Sequence, residues 1–129
     1  MARFLSAEWI AELDQAASTN ESLRAATADV TLIVQQVVSG RSGGDVSWYV
    51  VVDHGKVRVQ PGRADEPDVI FTQDEETARR IGRGELSAQA AFMLGKLRVG
   101  GNVALLVTHQ AAFADLDDIF GAARAAAQY

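Results

Sequence analysis

The stretch "GELSAQAAFMLGKLRVGGN", residues 84–102, combines an apolar helix end, a short alternating strand and several glycines. The consecutive large apolar residues at 92–94 are too apolar for an ordinary connection, yet the glycines interrupt the backbone too often for one continuous element. In "KLRV", residues 96–99, basic and apolar side chains alternate, which is typical of a half-buried strand. The stretch therefore predicts a helix and a strand joined by sharp turns.

The residues just before this stretch predict another strand and another helix. "DVIFT" is short and β-branched, and Asp74 can cap a helix that carries Glu75–Arg79 and Glu76–Arg80 pairs. After Asn102 the chain is predicted to be helical, with a break near His109 and a terminal amphipathic helix.

The first sixty residues predict a helix followed by three antiparallel strands. "SAEWIAELDQAAS" begins with Ser6 as N-cap and has apolar residues at helical spacing. "DVTLIVQQVV" places its even-numbered residues on one apolar face, which Gln36 interrupts. "VSWYVVVD" and "KVRVQ" alternate in the same way around "DHG", residues 53–55, a tight turn.

Residues 67–110 resemble the sterol carrier protein 2 (SCP2) domain family of small lipid-binding α+β domains. The order and spacing of short motifs carry the resemblance: Pro67-Asp68 before a strand, Gly84-Glu85-Leu86, Ala91-Phe92-Met93, Gly95-Lys96-Leu97 and Gly101-Asn102. Gly100 departs from the pattern, since relatives often carry a larger side chain there. The end "AAAQY" also lacks the Ser-Lys-Leu type tripeptide of peroxisomal members.

The resemblance implies a single SCP2-like lipid-binding domain over residues 1–129. Its fold would be α+β, with a five-stranded, mostly antiparallel sheet covered on one face by helices and an apolar tunnel between sheet and helices. The side chains expected to line the tunnel are Trp48, Phe71, Ile81, Phe92, Met93, Leu97, Val99, Leu105, Gln110, Phe113, Leu116 and Phe120. From the residues alone, the aromatic and methionine positions are interpreted as simple core: Trp48, Phe71, Phe92, Met93, Phe113 and Phe120. Periodicity does not distinguish a filled core from a cavity, so only the resemblance favours the tunnel.

The terminal helix, from about Ala111 to Ala126, is expected to close the tunnel as a lid, because it is amphipathic and terminal.

Composition and charge restrict the partners. The 129 residues include 48% apolar and 22% charged residues, and 12 basic against 17 acidic side chains give a net charge of −5. This balance disfavours electrostatic binding to nucleic acid, and no apolar run is long enough to span a membrane. Transient membrane contact is the most we expect. The chain has no cysteine and no apolar leader, so we expect a cytoplasmic protein, monomeric or homodimeric.

No arrangement typical of catalysis, metal binding or cofactor binding is present in the sequence. His54 and His109 are interpreted as turn or surface residues, and "DLDDIF", residues 115–120, as a solvated helix face without the glycine turn of a calcium loop. "GKLRVGG" lacks the P-loop pattern because Leu97 follows the lysine. We therefore expect no metal and no cofactor.

The predicted function is non-enzymatic binding or carriage of a fatty acid, fatty acyl-CoA, sterol or isoprenoid. Two alternatives stay open. One is a small enzyme acting on a hydrophobic substrate, which would need an ionisable group in its cavity. The other is a ligand-free interaction or dimerisation module, which an exposed apolar patch would favour.

Overall fold

The computed structural model describes residues 6–39, 44–83 and 85–109. The helices are α1 (Ala7–Ser18), α2 (Glu21–Ala26), α3 (Glu75–Gly82), α4 (Ala88–Met93) and α5 (Ala104–Thr108). The strands are β1 (Thr31–Ser39), β2 (Val46–Asp53), β3 (Lys56–Pro61), β4 (Val69–Asp74) and β5 (Leu97–Gly101). No helix within these ranges is long and apolar enough to cross a membrane.

The five strands form one sheet in the order β3-β2-β1-β4-β5. Three neighbouring pairs are antiparallel, and β1 pairs with β4 in parallel. A two-residue turn joins β2 to β3, with His54 at φ 48° and Gly55 at φ 87°, as the twist of a tight hairpin requires. The predicted α+β class and the mostly antiparallel five-stranded sheet are confirmed.

One face of the sheet carries the core. On β1, β2 and β3 the buried alternate positions include Val34, Val50 and Val59, which are cross-strand neighbours. Helix α1 lies over β3 and buries one side of its surface, which comprises Trp9, Ile10, Leu13 and Ala17. The Ser6 hydroxyl accepts a hydrogen bond from the Trp9 backbone N–H at 3.2 Å, so the predicted N-cap is present.

Asp14 links α1 to β3 through hydrogen bonds. Its carboxylate accepts hydrogen bonds from Arg58 Nε at 2.9 Å, Arg58 Nη2 at 3.0 Å and the Val59 backbone N–H at 2.7 Å. The Arg58 guanidinium, aided by the Val59 N–H, holds the pKa of Asp14 below its usual value. Because ionised acceptors make the stronger hydrogen bonds, this contact stabilises the helix-to-sheet packing most when Asp14 is charged.

Two features of the described fold were not predicted. Helix α2 follows α1 directly, with Asn20 Oδ1 accepting from the Leu23 N–H at 2.8 Å. Gln35, on the face opposite the core, is buried because residues 62–64 fold over it.

The other predicted helices are those after Asp74 and after Asn102. Helix α3 begins after Asp74 as expected, and the Glu75–Arg79 pair forms at 2.8 Å. The predicted Glu76–Arg80 pair is wrong, because no such pair forms among the described residues. Helix α5 ends at Thr108, with His109 as its C-cap, close to the predicted break. Gln110 and the terminal lid helix lie outside the described residues.

Candidate functional site

Three of the predicted tunnel residues lie in a single line across the sheet. Trp48 on β2 pairs with Gln36 on β1, Gln36 with Phe71 on β4, and Phe71 with Val99 on β5. Paired residues point to the same face and neighbouring strands lie about 4.8 Å apart, so these four side chains form a continuous strip about 14 Å long. We call Trp48, Gln36, Phe71 and Val99 the central row.

The described residues cover the two halves of this face unequally. Under α1, Val50, Val57 and Val59 are at most 2% exposed. Towards β4 and β5, Gln36, Phe71 and Val99 are only half-buried, although Phe71 and Val99 pack against the core. The candidate site is therefore the β1-β4-β5 part of the helix-covered face.

Helices α3 and α5 supply two further predicted residues near this part of the face. α3 contacts β4 and β1, its Ala78 belongs to the core, and Ile81 is half-buried. Leu105 of α5 is half-buried and packs against the same core. Both positions agree with lining a space above the central row, and that role stays a prediction.

The start of α3 is fixed by Asp74 at the end of β4. Asp74 Oδ1 accepts a hydrogen bond from the Thr77 backbone N–H at 2.7 Å. The hydrogen bonds from the Thr77 backbone and side chain lower the pKa of Asp74. A charged cap at the positive end of the helix dipole sets where α3 leaves the sheet.

Glycines explain how β5 enters and leaves the sheet within a few residues. Gly95 and Gly101 have φ of 75° and 80°, a region that side chains with a Cβ rarely adopt. A Cβ on Gly101 would lie 2.4 Å from the carbonyl oxygen of Asp68, and that oxygen accepts a hydrogen bond from the Asn102 N–H at 2.7 Å. The glycine thus permits the chain to turn into α5 while the edge of β4 stays in contact.

Phe92 and Met93, at the end of α4, lie at the surface of the described structure. Phe92 is 55% exposed, Met93 78% and the following Leu94 64%. Helix α4 is held instead by Ala91, which is fully buried, and by its contact with β5. The core interpretation of Phe92 and Met93 is therefore wrong, and their role as tunnel lining stays a prediction.

The other predicted lining residues have different positions. Leu97 is buried on β5, one row away from Val99, and pairs with Gln73. Gln110, Phe113, Leu116 and Phe120 lie outside the described residues.

The groove found along α3 is charged rather than apolar. It measures about 790 Å³ and is lined by Asp74, Glu75, Glu76, Arg79, Arg80, Arg83 and Glu85. In the described ranges no group of acidic and histidine side chains has the spacing of a metal site. His54 is an exposed turn residue whose Nδ1 lies 2.8 Å from Asp53 Oδ1. This groove does not correspond to the predicted tunnel.

Sequence comparison matches residues 10–114 to a family model described as the SCP-2 sterol transfer family. Sterol carrier protein 2 of Bos taurus is 31% identical over 75 residues. Those residues are 58% of this chain and 14% of the bovine protein, so most of that relative lies outside the match.

Solved structures share the fold. A crystal structure of sterol carrier protein 2 superposes with a TM-score of 0.75 at 20% identity, covering 92% of this chain and 98% of the other. The solution structure of palmitated SCP2L2 from Aedes aegypti gives a TM-score of 0.58 at 22% identity, covering 89% and 94%. The arrangement of helices on the five-stranded sheet is thus the one found in those proteins.

Proposed function

We propose that this chain, which belongs to the SCP-2 sterol transfer family, binds and carries a hydrophobic ligand over the central row. The ligand would be a fatty acid, fatty acyl-CoA, sterol or isoprenoid. The observation that carries the proposal is the half-buried Phe71 and Val99, on a face whose other half is fully buried under α1. The name of the palmitated insect protein, which shares the fold, is consistent with a fatty-acid ligand.

The driving force would be burial of apolar surface. At about 0.8 kcal/mol per methylene, a dozen methylenes supply roughly 10 kcal/mol before the costs of association and ordering are subtracted. Micromolar binding needs about 8 kcal/mol net, so a long acyl chain with a few further contacts is sufficient.

We propose carriage without a chemical step. In the described strands, the central row and the rows on either side of it contain no titratable side chain, and their polar members are Gln36 and Gln73. General acid or base catalysis needs such a group within hydrogen-bond reach of the substrate. The cytoplasmic location, the monomeric or homodimeric state and transient membrane contact stay predictions from the sequence.

Two valines on opposite faces of the sheet provide a matched test. Val99 belongs to the central row, whereas Val51 lies on the outer face, and both are half-buried. Val99→Gln should reduce the thermal stabilisation that palmitate, palmitoyl-CoA or a sterol gives to delipidated protein, and Val51→Gln should leave it unchanged. At a ligand concentration of 100 Kd the wild type should gain about 2.7 kcal/mol. Equal stabilisation of both variants would place the ligand elsewhere, and no stabilisation of the wild type by any of the three lipids would remove the carrier hypothesis.

A specific observation favours a second candidate function. Phe92, Met93 and Leu94 form a run of three exposed apolar side chains, as a ligand-free interaction or dimerisation module would present. Light scattering after size exclusion distinguishes the two. A dimer that Met93→Ser converts to a monomer, in a protein that binds no lipid, would support this module.

A further inference from the structure

Helix α3 carries opposite charges at its two ends, and both ends border the charged groove. The acidic residues lie where the helix begins and the arginines where it ends. The groove is lined at the first end by Asp74, Glu75 and Glu76, and at the other by Arg79, Arg80, Arg83 and Glu85. This order suits the helix dipole, which favours acidic residues in the first turn and basic residues in the last. The dipole does not, however, require any of these side chains to lack a partner.

Glu76 and Arg80 are groove residues whose charges are not paired. They are four residues apart, the spacing at which opposite charges commonly pair along a helix. Neither side chain makes an ion pair or a hydrogen bond within the part of the chain that the structure describes. Glu76 is exposed and Arg80 is half-buried. One carboxylate and one guanidinium group on the same side of α3 are therefore free to contact opposite charges on another molecule.

Arg79 adds an unsatisfied donor to the same groove. Its Nη2 donates to Glu75 Oε1 at 2.8 Å, but its Nε is buried and has no hydrogen-bond acceptor among the described residues. Arg58 shows the complete arrangement, because its Nε and Nη2 both donate to the Asp14 carboxylate. Since buried polar groups are nearly always paired, the groove beside Arg79 lacks an acceptor that a further carboxylate would supply.

We propose that α3 docks on α3 of a second copy of this chain, with the two helices antiparallel across a two-fold axis. The axis lies level with Ala78, midway between Glu76 and Arg80. Glu76 then faces Arg80 of the second copy, and Arg80 faces Glu76 of the second copy, as the symmetry of such an interface requires. This arrangement sets the acidic half of each helix against the basic half of the other. A partner of one charge would instead be repelled by half of the groove.

The contact is small and therefore weak. Helix α3 has eight residues and is about 12 Å long, so the interface falls below the size of a stable dimer. Exposed ion pairs each contribute little, and salt screens them. The dimer is thus a transient one that forms at high protein concentration and low salt. It does not involve the central row, so it is independent of lipid binding.

Charge-reversal variants test the pairing. Sedimentation velocity at up to about 0.5 mM protein and about 0.05 M salt should show a monomer–dimer equilibrium for the wild type, which about 0.5 M salt abolishes. Glu76→Arg and Arg80→Glu each turn both symmetric contacts into repulsions, so each should weaken the dimer at least about 10-fold. A mixture of the two variants should associate again, because each variant offers the other an opposite charge at both contacts.

Two exposed residues away from the groove provide matched controls. Arg98→Glu on β5 and Glu12→Arg on α1 change the net charge by the same amounts as the test variants. Both controls should dimerise like the wild type. Circular dichroism and thermal unfolding check that every variant is folded. Arg80→Gln, which removes the charge without reversing it, replaces Arg80→Glu if that variant does not fold, and it should also weaken the dimer.

The decisive result is the mixture. Test variants that are monomeric alone and dimeric together support the antiparallel contact. A wild type that stays monomeric over the whole concentration range, test variants that dimerise like the wild type, or a mixture that does not associate would each overturn it. A dimer that Met93→Ser abolishes and the charge variants leave intact would place the interface on the exposed apolar run at residues 92–94 and would overturn it as well.

Discussion

Replacing Gly101 with alanine should destabilise the β4-β5 edge strongly. Alanine at φ 80° costs about 1–2 kcal/mol in backbone strain alone. The new Cβ would lie 2.4 Å from the Asp68 carbonyl oxygen, so the backbone must also shift, which weakens the hydrogen bond from Asn102 by about 1 kcal/mol. We therefore expect a loss of about 2–4 kcal/mol in the free energy of unfolding.

Gly100 is the matched control. A Cβ there would meet only Ile70 Cβ at 3.9 Å, an ordinary contact, so Gly100→Ala should stay within about 1 kcal/mol of the wild type or gain slightly. Urea unfolding followed by fluorescence of the buried Trp9 and Trp48 measures both variants. Gly101→Ala should lower the midpoint by about 1–2 M. Midpoints for Gly100→Ala and Gly101→Ala that agree within about 0.3 M would refute the steric argument.

Four further substitutions have expected outcomes. Asp14→Ala removes the acceptor that joins α1 to β3 and should cost about 1–3 kcal/mol in urea unfolding at pH 7. Arg58 holds the folded-state pKa of Asp14 below the ordinary 3.8, so the stabilisation is fully present above that value and is lost as the pH falls through the folded pKa. The stability penalty of Asp14→Ala should therefore shrink below about pH 4, and a pH-independent penalty would contradict this reasoning. Asp74→Ala removes the α3 cap and should lower stability by about 0.5–2 kcal/mol, with reduced helical circular dichroism. Leu97→Ala, at a buried site, should cost about 2–5 kcal/mol, whereas Phe92→Ala should cost less than 1 kcal/mol; equal losses in thermal unfolding would mean that Phe92 is buried in solution.

Strands and caps were predictable because their signals are local. The alternation in residues 96–99 predicts β5, and Asp74 followed by Glu75 predicts the start of α3. Neither prediction needs knowledge of a distant residue. Helix α2 was missed because a six-residue helix with one buried side chain, Leu23, has no apolar periodicity to detect. Its one local signal was Asn20, the N-cap.

Contacts between residues far apart in the sequence could not be predicted from the sequence pattern. The β2-β3 hairpin separates β1 from β4 in the sequence, so their parallel pairing depends on the hairpin packing on the other side of β1. The burial of Gln35 likewise depends on residues 62–64. Gln36 was recognised as a break in the apolar face, yet its position between Trp48 and Phe71 follows only from the strand register. The exposure of Phe92 was likewise hidden, since an apolar helix end has the same sequence whether it faces a core or solvent.

Native mass spectrometry of the purified protein tests the lipid-binding function most directly. The account predicts a complex with one bound lipid, either co-purified or formed after delipidated protein is incubated with palmitate, palmitoyl-CoA or a sterol. Release of the lipid into organic solvent should return the mass of the bare chain. A spectrum that shows only the bare chain, before and after incubation with all three lipids, would contradict the account.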